Sequence, residues 1–146
     1  MQMELEVVLD APVERVFAFL PDPLNRPRWQ SSLRGVELNT EGRPRVGTRW
    51  REQPIGLGWV ELEIVRFERD RAWSERAELA FGTFTFGTFT LTLRFTPEGA
   101  ATRVHVEAEL VLRGAARLLG PGAKLVLPRA FASDLRRAGR ILASER

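Results

Sequence analysis

The sequence predicts a single α+β domain, residues 1–146, in which a curved antiparallel sheet of about seven strands wraps around a long C-terminal helix. Three observations predict it. One strand-like segment and two short helical segments open the chain. From Arg34 to Leu112, six consecutive segments alternate apolar and polar residues between short turns, the signature of an antiparallel meander with one covered face. After Ala123 an apolar stripe at helical spacing supplies the cover.

The elements follow in order. Met3, Leu5, Val7 and Leu9 alternate with polar neighbours, which predicts a half-buried strand. Val13, Val16, Phe17 and Leu20 then fall at i, i+3, i+4 and i+7. Pro12 and Glu14 suit the first turn of that helix, and Pro21 and Pro23 stop it. A second, shorter helical segment centres on Trp29. "RGVELN" is the next strand. "RVGTRWREQ" follows, with Val46, Thr48, Trp50 and Glu52 on one face. "PIGLG" interrupts the chain before "WVELEIVRFE", in which Val60, Leu62 and Ile64 point inward and Trp59 opens the strand. "AWSERAELAFG" places Trp73, Glu75, Ala77, Leu79 and Phe81 on one side, and "FTLTLRF" does the same for Phe89, Leu91, Leu93 and Phe95. "TRVHVEAELVL" turns Val104, Val106, Ala108, Leu110 and Leu112 inward. In the last segment Leu127, Phe131, Leu135, Ala138 and Leu142 step by three and four, with Pro128 as a kink or as the true helix start.

"FGTFTFGTFTL" (residues 81–91) holds the unit FGTFT twice, and a period of five suits neither helix nor strand. The preferred reading is a hairpin whose turn is Thr85–Phe86–Gly87, pairing Phe84 with Thr88 and Phe81 with Leu91, with Gly87 in the left-handed region. A single long strand with a face-swapping bulge is the rival.

Composition narrows the function classes. A chain of this length buries roughly 68–70% of its unfolded surface and needs no staples. Cysteine is absent, which excludes disulfides and thiolate metal sites. No stretch approaches the ~18 apolar residues of a membrane span, and the N-terminus lacks the pattern of a signal peptide, so a cytoplasmic protein is expected. The 22 basic residues face 19 acidic ones, for a net charge of +3. The cations are spread along the chain without a recognition-helix or RNP-type motif, which disfavours nucleic acid as a partner. Abundant charge, nearly all of the basic part arginine, beside scarce Asn, Gln and Met suits a thermostable protein.

The run "VVLDAPVERVFAFLPDPLNRPRW" (Val7 to Trp29), the "TPEGAATRVHVEAEL" entry to the last strand and the length and place of the final helix resemble the START-like (SRPBCC) superfamily. Within it, the polyketide cyclase/dehydrase-like and coenzyme-Q-binding bacterial members are the most similar. The resemblance implies a helix-grip fold, a curved sheet around the C-terminal helix that encloses an apolar cavity. It does not imply one ligand, because members range from lipid carriers to cyclases to chaperone regulators.

Conventional catalytic groups are sparse. His105, the only histidine, shares an outward face with Arg103, Glu107 and Glu109, and no metal or other cofactor is expected. Glu52 and Glu75 have inward parity and are the weak catalytic candidates. Their strands are two apart, which puts them well over ~10 Å from each other and argues against a working pair. No arginine falls on the apolar face of a strand. "GLGWVE" and "GPGAKL" both fail as nucleotide-binding loops. The aromatic and apolar set Trp50, Trp59, Trp73, Phe81, Phe84, Phe86, Phe89, Leu127 and Phe131 is the candidate ligand wall. Residues 84–87 and the "PIGLG" loop would be its gates.

The expected function is therefore binding, with carriage as an extension of it, of a hydrophobic small molecule such as a lipid, quinone or polyketide. The basic exterior would make transient contact with anionic membrane surfaces. Two alternatives stay open. One is a polyketide cyclase or dehydratase using Glu52 or Glu75 as a lone base. The other is a protein-interaction module without a physiological ligand. The sequence sets no oligomeric state.

Overall fold

The structure, a computed structural model, describes residues 1–55, 58–81 and 83–145, and for Phe81 the backbone alone. Strand β1 (Gln2–Leu9) leads into helix α1 (Val13–Phe19), and a 3-10 turn at Pro23–Asn25 leads into the four-residue helix α2 (Arg26–Trp29). Six strands follow: β2 (Leu33–Leu38), β3 (Arg49–Pro54), β4 (Val60–Glu68), β5 (Ala72–Phe81), β6 (Phe84–Glu98) and β7 (Ala101–Leu112). A 3-10 turn at Gly114–Leu119 joins them to helix α3 (Gly120–Ser144). The strands form one antiparallel sheet in the order β1-β7-β6-β5-β4-β3-β2, a meander with the N-terminal strand added beside the last one. Register shifts between Leu33 and Gly35, Ile64 and Arg66, and Leu79 and Ala80 add local twist.

Alternation sets the two faces. Trp50, Leu62, Ile64, Trp73, Leu91, Leu93, Val104 and Val106 are buried on the inner face, with Leu135, Ala138 and Leu142 of α3 against them. At Gly139 a Cβ would come within 3.0 Å of Leu9 Cδ2, so the missing side chain lets α3 lie close on β1. Polar ties fix the ends of this packing. The Thr102 hydroxyl donates to the Ala11 carbonyl (2.8 Å), holding the start of β7 against the entry to α1. Arg15 donates to the Leu142 carbonyl (2.9 Å) in the last turn of α3, where carbonyls lack helical partners.

Four expectations need correction. The β5–β6 turn is not at residues 85–87: β5 ends at Phe81 and β6 begins at Phe84, so Phe81 pairs with Phe84 and Phe89 with Ala77. Thr85 faces Ala80 and Gly87 faces Leu79, which leaves Phe86 as an extra residue on β6. Hairpin and bulge therefore coexist, and the bulge explains the period of five: two strand periods plus one extra residue return Phe84 to the face of Phe89. Gly87 is not in the left-handed region. Its role is close approach, since a Cβ there would meet the Val111 carbonyl oxygen at 2.5 Å. Second, β3 starts at Arg49, because Gly47 (φ 93°) turns the chain and leaves Val46 exposed. Third, β4 starts at Val60, and Trp59 precedes it, 39% exposed. Fourth, α3 begins at Gly120 and runs on through Pro128, which therefore does not mark its start.

Candidate functional site

Among the described residues, the inner face carries one buried ionic cluster. Arg26 and Trp29 stand three residues apart on the short helix α2, so both reach the sheet. The Arg26 guanidinium donates to both oxygens of Glu75 (2.9 and 3.0 Å) and to Glu52 Oε1 (3.3 Å). Trp50 Nε1 donates to the other Glu52 oxygen (3.1 Å). The guanidinium carbon also lies 5.5, 5.8 and 6.0 Å from the ring centroids of Trp29, Trp50 and Trp73. Such an arrangement adds cation–π attraction in a desolvated site. Arg26 Nε and the indole N–H groups of Trp29 and Trp73 are buried without hydrogen-bond acceptors among the described residues.

This overturns the separation of the two carboxylates read from the sequence. Glu52 lies opposite Val60 and Glu75 opposite Ile64, so their backbones are indeed apart along β4. Side chains on the concave face converge, however, and one cation from outside the sheet bridges them. Arg26 was the missed residue because strand parity could not reveal it. The available signal was different: two inward carboxylates require a counterion, and "NRPRW" puts an arginine on the same helical side as an inward tryptophan.

Electrostatics follow from one cation between two anions. Burial pushes the Glu75 carboxyl up to about 7; the Arg26 charge pulls it down, and the neighbouring Glu52 charge adds to the rise. Burial alone would lower the Arg26 pKa, but the two carboxylates outweigh it and hold the guanidinium above its usual range. Burial likewise raises Asp134 of α3, against hydrogen bonds from the Ser31 amide (3.4 Å) and hydroxyl (3.1 Å).

The cluster forms the inner end of a cleft of about 180 Å³ between α3 and the sheet. Leu79, Phe89, Leu91, Leu127 and Phe131 make its apolar walls, and Gln30, Glu52, Glu75 and Asp134 join Arg26 at its polar end. Phe89 and Phe131 stack there, 5.9 Å between centroids. Of the sequence-predicted wall, then, Phe89, Leu127 and Phe131 come together here. Trp50 and Trp73 are fully buried around Arg26 instead, so the void sits beside Phe89 and not among the tryptophans. Trp59 lies outside the cleft with the Arg51 guanidinium 4.5 Å from its ring centroid. Phe84 is 66% exposed on the hairpin, and Phe86 is half-buried at the bulge. The Phe81 side chain and residues 56–57 of the expected "PIGLG" gate lie outside the described residues. The expected 84–87 gate is the beginning of β6 rather than a loop.

A broader depression of about 750 Å³ lies on the sheet's outer face, bounded by Arg49, Glu61, Glu63, Arg76 and Glu78. Arg49 and Glu63 pair there at 2.8 Å, and the inner cleft is the better-built site. His105 faces outward beside Glu6 and Glu107, as its parity predicts.

With this geometry in view, comparison with known proteins settles the lineage. The sequence profile of the family described as polyketide cyclase/dehydrase and lipid transport matches residues 1–145. The chain belongs to that family. Solved structures agree on the fold. A protein from Thermus thermophilus is 18% identical, with a TM-score of 0.75 and 99% of each chain covered. A Mesorhizobium loti protein is 21% identical, with a TM-score of 0.70 over 96% of this chain and 98% of its own. DynU16, from the dynemicin biosynthetic locus, is 18% identical with a TM-score of 0.69; the match covers 99% of this chain and 48% of DynU16. No curated protein matches the sequence.

Proposed function

We propose that the protein binds an apolar small molecule, of the lipid, quinone or polyketide kind, in the cleft between α3 and the concave face of the sheet. The observation that carries this reading is the cleft's two-part lining: apolar walls of stacked Phe89 and Phe131 with Leu79, Leu91 and Leu127, and a buried polar cluster at the inner end. Apolar walls supply affinity in proportion to buried area, at about 25 cal/mol per Å², and a few polar groups fix orientation. The family's description, which spans lipid transport and polyketide cyclisation, is consistent with such a ligand. A catalytic role for Glu52 or Glu75 has less behind it, because both carboxylates are paired with the same buried guanidinium and neither stands as a lone base. A ligand-free interaction module would leave the cleft's apolar walls without a purpose.

Organic extraction and native mass spectrometry of purified protein test the proposal. The expected result is a bound apolar molecule at near-equal stoichiometry. Failure to find any bound molecule, together with failure of a fluorescent lipid to bind, would remove its support.

A specific observation favours transient membrane contact as part of the same function. Leu118 (84% exposed), Leu119, Leu125 and Val126 project from the first part of α3 and the turn before it. Residues 113–133 hold four cations, Arg113, Arg117, Lys124 and Arg129, and no acid. Leu127 and Phe131 of the same segment line the cleft, so this surface would bring the opening to an anionic bilayer. Co-sedimentation with phosphatidylserine-containing vesicles, lost on Leu118→Ser with Leu125→Ser and weakened by salt, is the expected behaviour. Equal binding of the double variant would contradict it.

A further inference from the structure

We infer that the cleft selects an apolar molecule whose inner end is a hydrogen-bond donor, a hydroxyl or an amine, and refuses one that ends in a carboxylate. The inference rests on the proposed binding function and names the ligand chemistry of that same site.

Three observations carry it. First, the ionic groups at the inner end are one guanidinium, Arg26, against the carboxyl groups of Glu52, Glu75 and Asp134. Second, both terminal nitrogens of that guanidinium are held by carboxylates: one donates to Glu75, and the other donates to both Glu75 and Glu52. A ligand carboxylate drawn to this cation would sit beside the carboxyl groups of Glu52, Glu75 and Asp134 away from bulk water, where like charges repel strongly. Each glutamate oxygen, by contrast, accepts one hydrogen bond: both Glu75 oxygens and Glu52 Oε1 from Arg26, and Glu52 Oε2 from Trp50. A carboxylate offers about four lone-pair sites, so capacity for a further donor remains. Third, the Gln30 side chain lines the same end, is 8% exposed, and makes no side-chain hydrogen bond among the described residues. An amide that makes no hydrogen bond within the protein is free to meet a polar ligand group. Its position beside surplus acceptors suits a hydroxyl, which can receive from the amide while donating to a carboxylate.

Three probes with the same ring system separate the possibilities: 2-naphthol, 2-naphthoate and naphthalene, titrated calorimetrically into the full chain at pH 7.5. The expected order is naphthol, then naphthalene, then naphthoate, with about tenfold or more between first and last, or ~1.4 kcal/mol. Gln30→Leu should weaken naphthol binding relative to naphthalene, closing the gap between the two. Glu75→Gln should narrow the gap between naphthol and naphthoate; Glu52→Gln is the second variant should Glu75→Gln fail to fold. Naphthoate binding as tightly as naphthol would overturn the inference while leaving the cleft as a binding site. Equal affinity for all three would do the same. Binding of none would overturn both this inference and the function on which it rests.

Discussion

Arg26 concentrates the energetics of the site in one side chain. Replacing it by methionine would leave Glu52 and Glu75 buried without a counterion, and breaking a buried ion cluster from one side costs about 3–5 kcal/mol. Against a total stability of roughly 5–15 kcal/mol, Arg26→Met should unfold at far lower urea concentrations than the parent. Adding Glu52→Gln and Glu75→Gln to that variant should recover much of the loss; no recovery would show that Arg26 acts through packing alone. Glu75 gives the cluster a pH signature. Its folded pKa of about 7 exceeds the ordinary 4.5, so between those values the folded state binds more protons than the unfolded one. Stability from this group is therefore full at acid pH and falls as pH rises toward 7, by about 3 kcal/mol in all. Glu75→Gln should lose ground to the parent at pH 5 and gain on it at pH 8 in urea titrations. A pH-independent difference between the two proteins would contradict the assignment. At this scale the sequence was half legible. Alternation placed both glutamates inside, but it is blind to a cation supplied from a helix, and a distance reasoned along strands ignores the convergence of side chains on a concave face.

Among the elements, the strands were the most legible because alternation is enforced wherever one face is buried. The meander order, the inward rows of β4, β5 and β7 and the helical stripe ending at Leu142 all follow from that rule. What escaped it were places where the backbone departs from regular pairing. Phe86 at the bulge, Gly47 before β3 and Trp59 before β4 each shift a boundary or a face without changing the apolar pattern around them. The β5–β6 hairpin shows the consequence: a glycine at 87 reads as a turn residue, yet its role is to admit the Val111 carbonyl. Gly87→Ala should therefore cost about 1–3 kcal/mol, since the obstacle is backbone and cannot swing aside. Thermal unfolding checks this. A neutral result would mean that β6 and β7 separate there at little cost.

For the whole molecule, the outer face of the sheet balances the inner one. Arg94 pairs with Glu107, and Arg103 pairs with both Glu6 and Glu98, across β6, β7 and β1, with the His105 ring between Glu6 and Glu107. Isolated exposed pairs contribute little, but connected networks gain weight as temperature rises. Arg103, with carboxylates on both sides, is the node, and Arg103→Gln should lower the melting temperature measurably at low salt and less at high salt. An identical shift at both would assign the loss to packing. The inner face carries the central claim, that a cleft with aromatic walls and an acidic inner end holds an apolar molecule by its polar group. The most direct measurement is a crystal structure of the protein grown with 2-naphthol. The ring should lie against Phe89 and Phe131, with the hydroxyl within hydrogen-bond reach of Gln30 or Glu75. Density for the probe on the outer face, or an inverted ring with its hydroxyl toward Leu127, would contradict it.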